Sequence, residues 1–163
     1  MRPNRLAPQL LLLLVIAASP VRAAEPVDVS TPHARIWRVE GEVETLKQYV
    51  KDAIINRGLK VTEGDIGLML DRTAEDVGAE QPLFDKAQFV QFCSAVLSRK
   101  AMESDPANMA FCPFTIFLYS TEAAPESVHL GFRKLPGDGS EATRATMREI
   151  DSLVTQIVQE ALE

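Results

Sequence analysis

The sequence predicts an α+β domain, with a single mixed or antiparallel sheet and helices packed on it as a two-layer sandwich. Segments in which apolar and polar residues alternate recur along the chain, and segments with helical spacing of apolar residues lie between them. Two strand-like segments, 109–120 and 126–134, are close enough in sequence to form an antiparallel hairpin. The segment after Ser140 carries the most regular helical period of the chain.

The composition is that of an ordinary globular protein, with 46% hydrophobic and 25% charged residues. It also excludes several kinds of site. Two cysteines cannot form an all-thiolate tetrahedral zinc site, and two histidines cannot form a histidine-rich metal centre. The formal net charge of -6 argues against nucleic-acid binding, because that affinity comes mostly from lysine and arginine contacts to phosphates.

The N-terminal segment has the pattern of a secretory signal peptide. Arg2 and Arg5 precede an apolar run over 10–18, and the small-residue pattern of 21–23 follows it. The run is too short to span a bilayer, which takes roughly 20 apolar residues. Cleavage after residue 23 would remove three basic and no acidic residues, leaving a net charge of −9. We therefore expect a signal peptide over 1–23, a periplasmic location, and no integral membrane segment in the remaining chain.

The first elements of the domain follow a short leader. Residues 24–33 contain two prolines and no periodicity, which predicts a flexible leader before a single domain over 34–163. Residues 34–40 alternate and are rich in strand formers, and Gly41 ends this first strand. Apolar residues at helical spacing over 43–54 then predict the first helix.

A second strand and a second helix come next. Gly58 can adopt the left-handed geometry that closes the first helix, and residues 59–61 alternate in a short strand. Asp65 is placed to cap a helix whose apolar stripe runs over 66–77. Gly78 ends this helix, and a proline-containing loop follows it.

The third strand and the longest apolar run follow that loop. Residues 89–93 predict a strand, and Ser94 is placed to cap a short helix over 95–104. The run 109–120 is too short for a membrane helix and predicts a central strand that is buried on both faces. Pro113 cannot donate to a strand ladder, so we expect a bulge or an unpaired stretch around it.

Cys93 and Cys112 are the best candidates for chemistry. Each follows a phenylalanine at a point where a predicted strand bends or ends, so their sulfur atoms could meet if the two strands are neighbours. Three interpretations stay open: a stabilising disulfide, two buried inert thiols, and a functional pair that is redox-active or binds a soft metal such as copper. The chain has no Cys-x-x-Cys motif, so a thioredoxin-type mechanism has no support.

Five nearby side chains could contribute to such a site, and each also has a purely structural interpretation. Arg99 and Lys100 could lower a thiol pKa or hold an anion, although a solvated helix face also explains them. Met109 could extend a copper site, although methionine is commonly a core filler. Tyr119 is expected at the edge of the core, and His129 is expected to be exposed or to face a partner.

Three segments are similar to a known bacterial family. The residues DAIINRGL (52–59), QFCSA (91–95) and FCPF (111–114) resemble the family called domain of unknown function 302, and the resemblance covers about 34–134. It implies a small α+β domain that is often exported in proteobacteria, with some relatives attached to cytochrome-like or other redox modules. Family members commonly have a cysteine before the short helix and another in the following strand, which both cysteines here match. The family has no established activity, so the resemblance implies no catalytic residues.

These observations predict an exported, periplasmic accessory domain without enzymatic activity, which binds a small ligand, a metal or a protein partner near the cysteine pair. No cofactor is predicted, and copper is the metal that the thiol pair would suit. A thiol-dependent redox enzyme and a purely structural module with a stabilising disulfide are the alternatives. A homodimer is possible through the long final helix.

Overall fold

The computed structural model describes residues 25–163, whose strands form one six-stranded antiparallel sheet. The strands are β1 (Val27–Asp28), β2 (Ala34–Glu40), β3 (Val61–Asp65), β4 (Lys86–Phe92), β5 (Phe114–Thr121) and β6 (Ala124–Arg133). The helices that pack on the sheet are α1 (Val43–Ile55), α2 (Ile66–Arg72), α3 (Ala95–Ser104) and α4 (Glu141–Ala161). The spatial order of the strands is β1-β2-β6-β5-β4-β3. The predicted α+β class with a single sheet is confirmed.

The hydrophobic core lies between one face of the sheet and the helices α1 and α4. Alternate residues of β5 point into it, and Phe114, Ile116 and Leu118 are buried there. Burial of one such aliphatic or aromatic side chain contributes about 1.5–3 kcal/mol, so this stripe is a main source of stability. The helices complete the core with their own apolar stripes, which are Val50, Ala53, Ile54, Ile150, Val154, Ile157 and Val158.

Local signals in the sequence set the starts of α2, α3 and α4 and the turn after α1 where they were expected. The side chains of Asp65, Ser94 and Ser140 each accept a hydrogen bond from the backbone N–H three residues later, at 2.7, 3.4 and 3.1 Å. Each bond satisfies a helical N–H that has no partner within the helix. Gly58 has a φ of 72°, which is the left-handed conformation predicted for the end of α1.

The prediction of one strand over 109–120, buried on both faces, is wrong. Residues Pro106–Phe111 form a 3-10 turn, and β5 begins only at Phe114. Pro113 follows a cis peptide bond and lies outside the strand, so the predicted unpaired stretch is confirmed. Within β5, burial alternates, because α1 and α4 cover one face of the sheet and leave Phe117 and Tyr119 partly exposed on the other.

Several other boundaries differ from the sequence-based prediction. The 24–33 segment is not only a leader, because it contains β1, which pairs with β2. α2 ends at Arg72, and Glu75–Val77 forms a separate 3-10 turn. β3 extends to Asp65 because Asp65 pairs with Gln88 of β4, and β4 begins at Lys86 because Lys86 pairs with Ser120 of β5. Pairing between distant segments therefore fixed these boundaries.

The predicted signal peptide, residues 1–23, lies outside the described residues. Within 25–163, no helix has both the length and the apolar character that crossing a membrane requires.

Candidate functional site

The structure brings Cys93 and Cys112 together at one end of the sheet. Cys93 follows β4 directly, and Cys112 lies just before β5. The two strands are antiparallel neighbours with Phe92 opposite Phe114, so the end of one strand meets the start of the other. The connection between them consists of α3 and the turn Pro106–Phe111.

The two thiols are neighbours but are not bonded to each other. Cys112 is close enough to raise the pKa of Cys93 by charge and by hydrogen bonding, and both cysteines are free. A disulfide needs a sulfur–sulfur separation of about 2.05 Å, and the two sulfur atoms are not at that distance. The disulfide that the sequence allowed is therefore not present, and the pair is a dithiol.

Helix α3 holds the Cys112 side chain in place. The half-buried Cys112 thiol donates a hydrogen bond to Oγ of Ser98 on α3, with a sulfur–oxygen distance of 3.1 Å. The Cys112 backbone N–H donates to the carbonyl oxygen of Met109 at 3.1 Å. Cys112 is thus fixed by both its side chain and its backbone, whereas Cys93 is exposed.

The surroundings of Cys93 keep its thiol protonated at neutral pH. Partial burial raises the pKa of Cys93, and the neighbouring Cys112 raises it further by charge and by hydrogen bonding. The backbone N–H of Phe114 donates to the Cys93 sulfur and lowers the pKa, but this effect is the smallest of the four. Catalytic cysteines need the opposite shift, because the thiolate is the nucleophile. The pKa of Cys93 is therefore shifted in the direction opposite to the one that nucleophilic catalysis requires.

A groove of about 460 Å³ opens beside Cys93. It lies between the loop that follows α1 and the adjoining ends of β3 and β4. Leu59 and Pro113 give it apolar walls, and Lys60 and Gln91 add polar groups. A ligand or a partner could therefore approach the thiol pair from the Cys93 side.

The sequence did not identify three groups of this site, namely Lys60, Ser98 and the backbone N–H of Phe114. Ser98 lies on the correctly predicted helix α3, Lys60 immediately precedes β3, and Phe114 is the first residue of β5. Their positions relative to the thiols depend on how α3 packs and on the register between β4 and β5. A single sequence carries no signal for either of these.

The two cationic neighbours proposed from the sequence are engaged in ion pairs. Nε of Arg99 lies 2.7 Å from Glu103 one turn further along α3. Nζ of Lys100 lies 2.5 Å from Glu149 on α4. Neither residue is among the groups that shift the Cys93 pKa. The pair with Glu149 instead connects α3 to α4.

The other three candidates from the sequence, Met109, Tyr119 and His129, lie in two separate places. Met109 is exposed on the turn before Cys112. The rings of Tyr119 and His129 stack on each other, with centroids 4.6 Å apart and planes within 5°. Tyr119 is five residues along β5 from Phe114, which at about 3.3 Å per residue separates this stack from the thiol end of the sheet by about 17 Å. The stack is thus a separate feature.

The described residues contain no group of three or more His, Cys, Asp or Glu side chains placed to hold a metal ion. Among the described His, Cys, Asp and Glu side chains, the thiol pair would therefore offer a metal ion two sulfur ligands. Thiolates prefer soft ions such as Cu(I).

No curated protein matches this chain. The crystal structure of an uncharacterized conserved protein, DUF302, from Bacillus stearothermophilus is similar, with a TM-score of 0.65 and 10% identity over 80% of this chain and 99% of that chain. At this identity the similarity shows a common fold alone. Residues 36–163, which include α4, match the family described as "Domain of unknown function DUF302". Because this match spans far more than half of the sequence, the chain belongs to the DUF302 family.

Proposed function

We propose that this protein is an exported accessory domain that binds Cu(I) through the thiols of Cys93 and Cys112. The observation that supports this is that two free thiols are neighbours at the adjoining ends of β4 and β5. The groove beside Cys93 would let the ion reach the pair. Export is supported by the signal-peptide pattern of residues 1–23.

The choice of Cu(I) follows from the number and the type of ligands. Structural zinc sites almost always have four protein ligands, and catalytic zinc sites have three. The described residues offer two sulfur atoms and no third His, Cys, Asp or Glu placed to complete a larger set. Soft thiolates select Cu(I), which binds readily to two of them. A two-ligand site also leaves the ion accessible from the exposed side of Cys93, as an accessory protein that transfers its ion would require.

Ion binding has to displace thiol protons, since thiolates are the ligands. The raised pKa of Cys93 makes this displacement harder at low pH. We therefore expect the affinity for Cu(I) to increase with pH across the neutral and mildly alkaline range.

The test is an anaerobic titration of the reduced protein with Cu(I) in competition with a coloured Cu(I) chelator. We expect one ion per chain, and loss of competitive binding in both Cys93→Ser and Cys112→Ser. The matched control is Ser152→Ala, which changes an exposed hydroxyl on α4 and should leave the stoichiometry at one. Unfolding curves of each variant would show that the serine substitutions leave the fold intact.

Two results would contradict the proposal. One is a reduced wild-type protein that retains no Cu(I) against the chelator. The other is a folded double serine variant that retains as much Cu(I) as wild type, because the ion would then be bound elsewhere.

A thiol-dependent redox enzyme is the alternative. It would need an accessible cysteine with a lowered pKa, and the pKa of the exposed Cys93 is raised. We therefore propose a binding function rather than a catalytic one.

A further inference from the structure

Three arginines converge on a second groove, which shares no residue with the groove beside Cys93. Arg35 comes from β2, and Arg144 and Arg148 come from the first half of α4. The loop Leu135–Gly137 forms part of the wall, and the volume is about 460 Å³. This concentration of cations is unexpected in a chain whose net charge is -6.

Two of these arginines are held in fixed positions. Nη2 of Arg35 lies 3.0 Å from Asp151. Arg144 donates from Nη1 to the carbonyl oxygen of Gly139 at 2.6 Å and from Nη2 to Glu141 at 2.8 Å. Both guanidinium groups are therefore oriented before any ligand arrives, which lowers the entropy cost of binding.

The arginines also retain donors without partners. Nε of Arg35 is buried and has no hydrogen-bond partner among the described residues. Arg148 has 66% of its side chain exposed, and its contact with Glu141 is 4.0 Å long, which is beyond hydrogen-bonding distance. A guanidinium carries five N–H donors in a planar fork that matches the geometry of carboxylate and phosphate groups.

The charge balance favours an anion. The three guanidinium groups form ion pairs with two carboxylates, those of Asp151 and Glu141, so Arg148 has no carboxylate of its own. The carboxylate of Asp28 also interacts with Arg35. Glu141 is close to both Arg144 and Arg148, which leaves Arg148 with the weaker contact. An anion in the groove could thus pair with Arg148 without displacing an established hydrogen bond.

We propose that the groove between the loop Leu135–Gly137 and α4 binds a small soluble oxyanion, a phosphate or carboxylate group, through Arg148, Arg144 and Arg35. Charge-assisted hydrogen bonds from oriented guanidinium groups are about twice as strong as neutral ones and give the site its selectivity. The groove has room for a ligand larger than a single inorganic ion. The oxyanion would therefore be one group of a small metabolite.

The test uses inorganic phosphate as the probe, measured by calorimetry with the purified protein at low ionic strength. We expect saturable binding of one phosphate per chain. Arg148→Gln should weaken binding about tenfold, which corresponds to about 1.4 kcal/mol, because it removes one charge-assisted interaction with the anion. Arg148 is exposed and makes no hydrogen bond, so its replacement should leave the fold unchanged. The matched control is Arg99→Gln, which removes an exposed arginine of α3 and should leave the dissociation constant unchanged.

Succinate and vesicles distinguish the possible sources of the oxyanion. Competition by succinate would show that the site also accepts carboxylates. Co-sedimentation with phosphatidylglycerol vesicles, with no binding of free phosphate, would overturn the proposal of a soluble ligand in favour of a lipid headgroup. The proposal would also fail if phosphate did not saturate, or if Arg99→Gln weakened binding as much as Arg148→Gln.

Discussion

Cys93 is an exposed thiol whose neighbours oppose its ionisation. The raised pKa predicts slow alkylation at neutral pH and a rate that still increases above the ordinary thiol pKa of about 8.5. Replacing Cys112 by serine removes one of the groups that raise the pKa, so the rate profile of Cys93 should move to lower pH. Iodoacetamide labelling followed by mass spectrometry measures this profile.

The control for this experiment is Cys93→Ser, in which only Cys112 can be labelled. The Cys112 thiol is half-buried and donates a hydrogen bond to Ser98. It should therefore react more slowly than Cys93 does in the Cys112→Ser protein. A Cys93 profile that levels off at neutral pH would contradict the assigned direction of the pKa.

Gly131 is a second residue whose surroundings restrict it, because they leave no room for a side chain. A Cβ at this position would lie 2.3 Å from the carbonyl oxygen of Arg35 and 3.1 Å from Cα of Ile36. Backbone atoms of a paired strand cannot move away without breaking the sheet, so Gly131→Ala should destabilise the fold by about 3 kcal/mol. The midpoint of urea unfolding measures this loss.

Gly137 is the matched control, because a Cβ there meets nothing within 4 Å. Gly137→Ala should change the free energy of unfolding by less than about 0.5 kcal/mol. Equal midpoints for the two alanine variants would show that β2 does not approach β6 as closely as described.

Helix α4 depends on its N-terminal cap. The hydroxyl of Ser140 accepts from the backbone N–H of Thr143 and also contacts the Thr143 hydroxyl at 2.9 Å. Ser140→Ala removes both contacts, and we expect a loss of about 1 kcal/mol in the free energy of unfolding. Thermal or urea unfolding followed by circular dichroism provides the measurement.

Ser152 lies in the middle of the same helix and is exposed, so Ser152→Ala tests the same chemical change away from the cap. Alanine has the higher helix propensity, so this variant should be as stable as wild type or slightly more stable. If both variants lost the same stability, the cap could not be the cause.

The connection from β4 to β5 illustrates what an element-level pattern can and cannot predict. Ser94 and the apolar spacing after it predicted α3 with the bounds that the structure has. The next apolar run contains a proline, and the chain forms the turn Pro106–Phe111 before β5 begins. Hydrophobicity did not separate the turn from the strand, because Phe111 of the turn packs against the same core as β5, although Met109 of the turn is exposed.

At the scale of the whole molecule, stability should fall as the pH decreases from neutral. Burial lowers the pKa of His129 below its usual 6.5, and the charge of Arg38 lowers it further. The unfolded chain then binds a proton at His129 more readily than the folded chain does. The contribution of neutral His129 to stability is therefore fully present above about pH 6.5, and it is lost as the pH falls towards the folded pKa. The urea midpoint at about pH 7.5 and at about pH 5.5 measures this first loss.

His129→Gln should remove most of this first loss, because glutamine does not titrate. A variant whose midpoint still falls by the wild-type amount between the two pH values would show that another group is responsible.

A second loss should follow in stronger acid. The pKa of Glu44 is lowered chiefly by its hydrogen bond to Lys47, and that of Glu63 chiefly by its hydrogen bond to Lys51. These carboxylates stabilise the fold above their unfolded pKa of about 4.5, and the contribution is lost as the pH falls through their lower folded values. A urea midpoint that stays constant below about pH 4.5 would contradict this.

The sequence by itself determined the local features of this protein. The caps at Asp65, Ser94 and Ser140, the turn at Gly58 and the alternation of the strands each depend on residues within a few positions of one another. From these features follow the α+β class and the existence of most elements. The same local information pointed to the two cysteines, because they lie at the ends of predicted strands.

Only the tertiary structure decided how the elements are arranged in space. The register between β4 and β5 makes the two thiols neighbours, and the ion pair between Arg35 of β2 and Asp151 of α4 brings Arg35 to the same groove as Arg144. The edge strand β1 exists only because β2 offers it a partner. Such contacts join residues that are far apart in the chain, and their free energy comes from burial and hydrogen bonding shared among several elements. No single segment encodes them, so the dithiol and the arginine groove become visible only in the folded molecule.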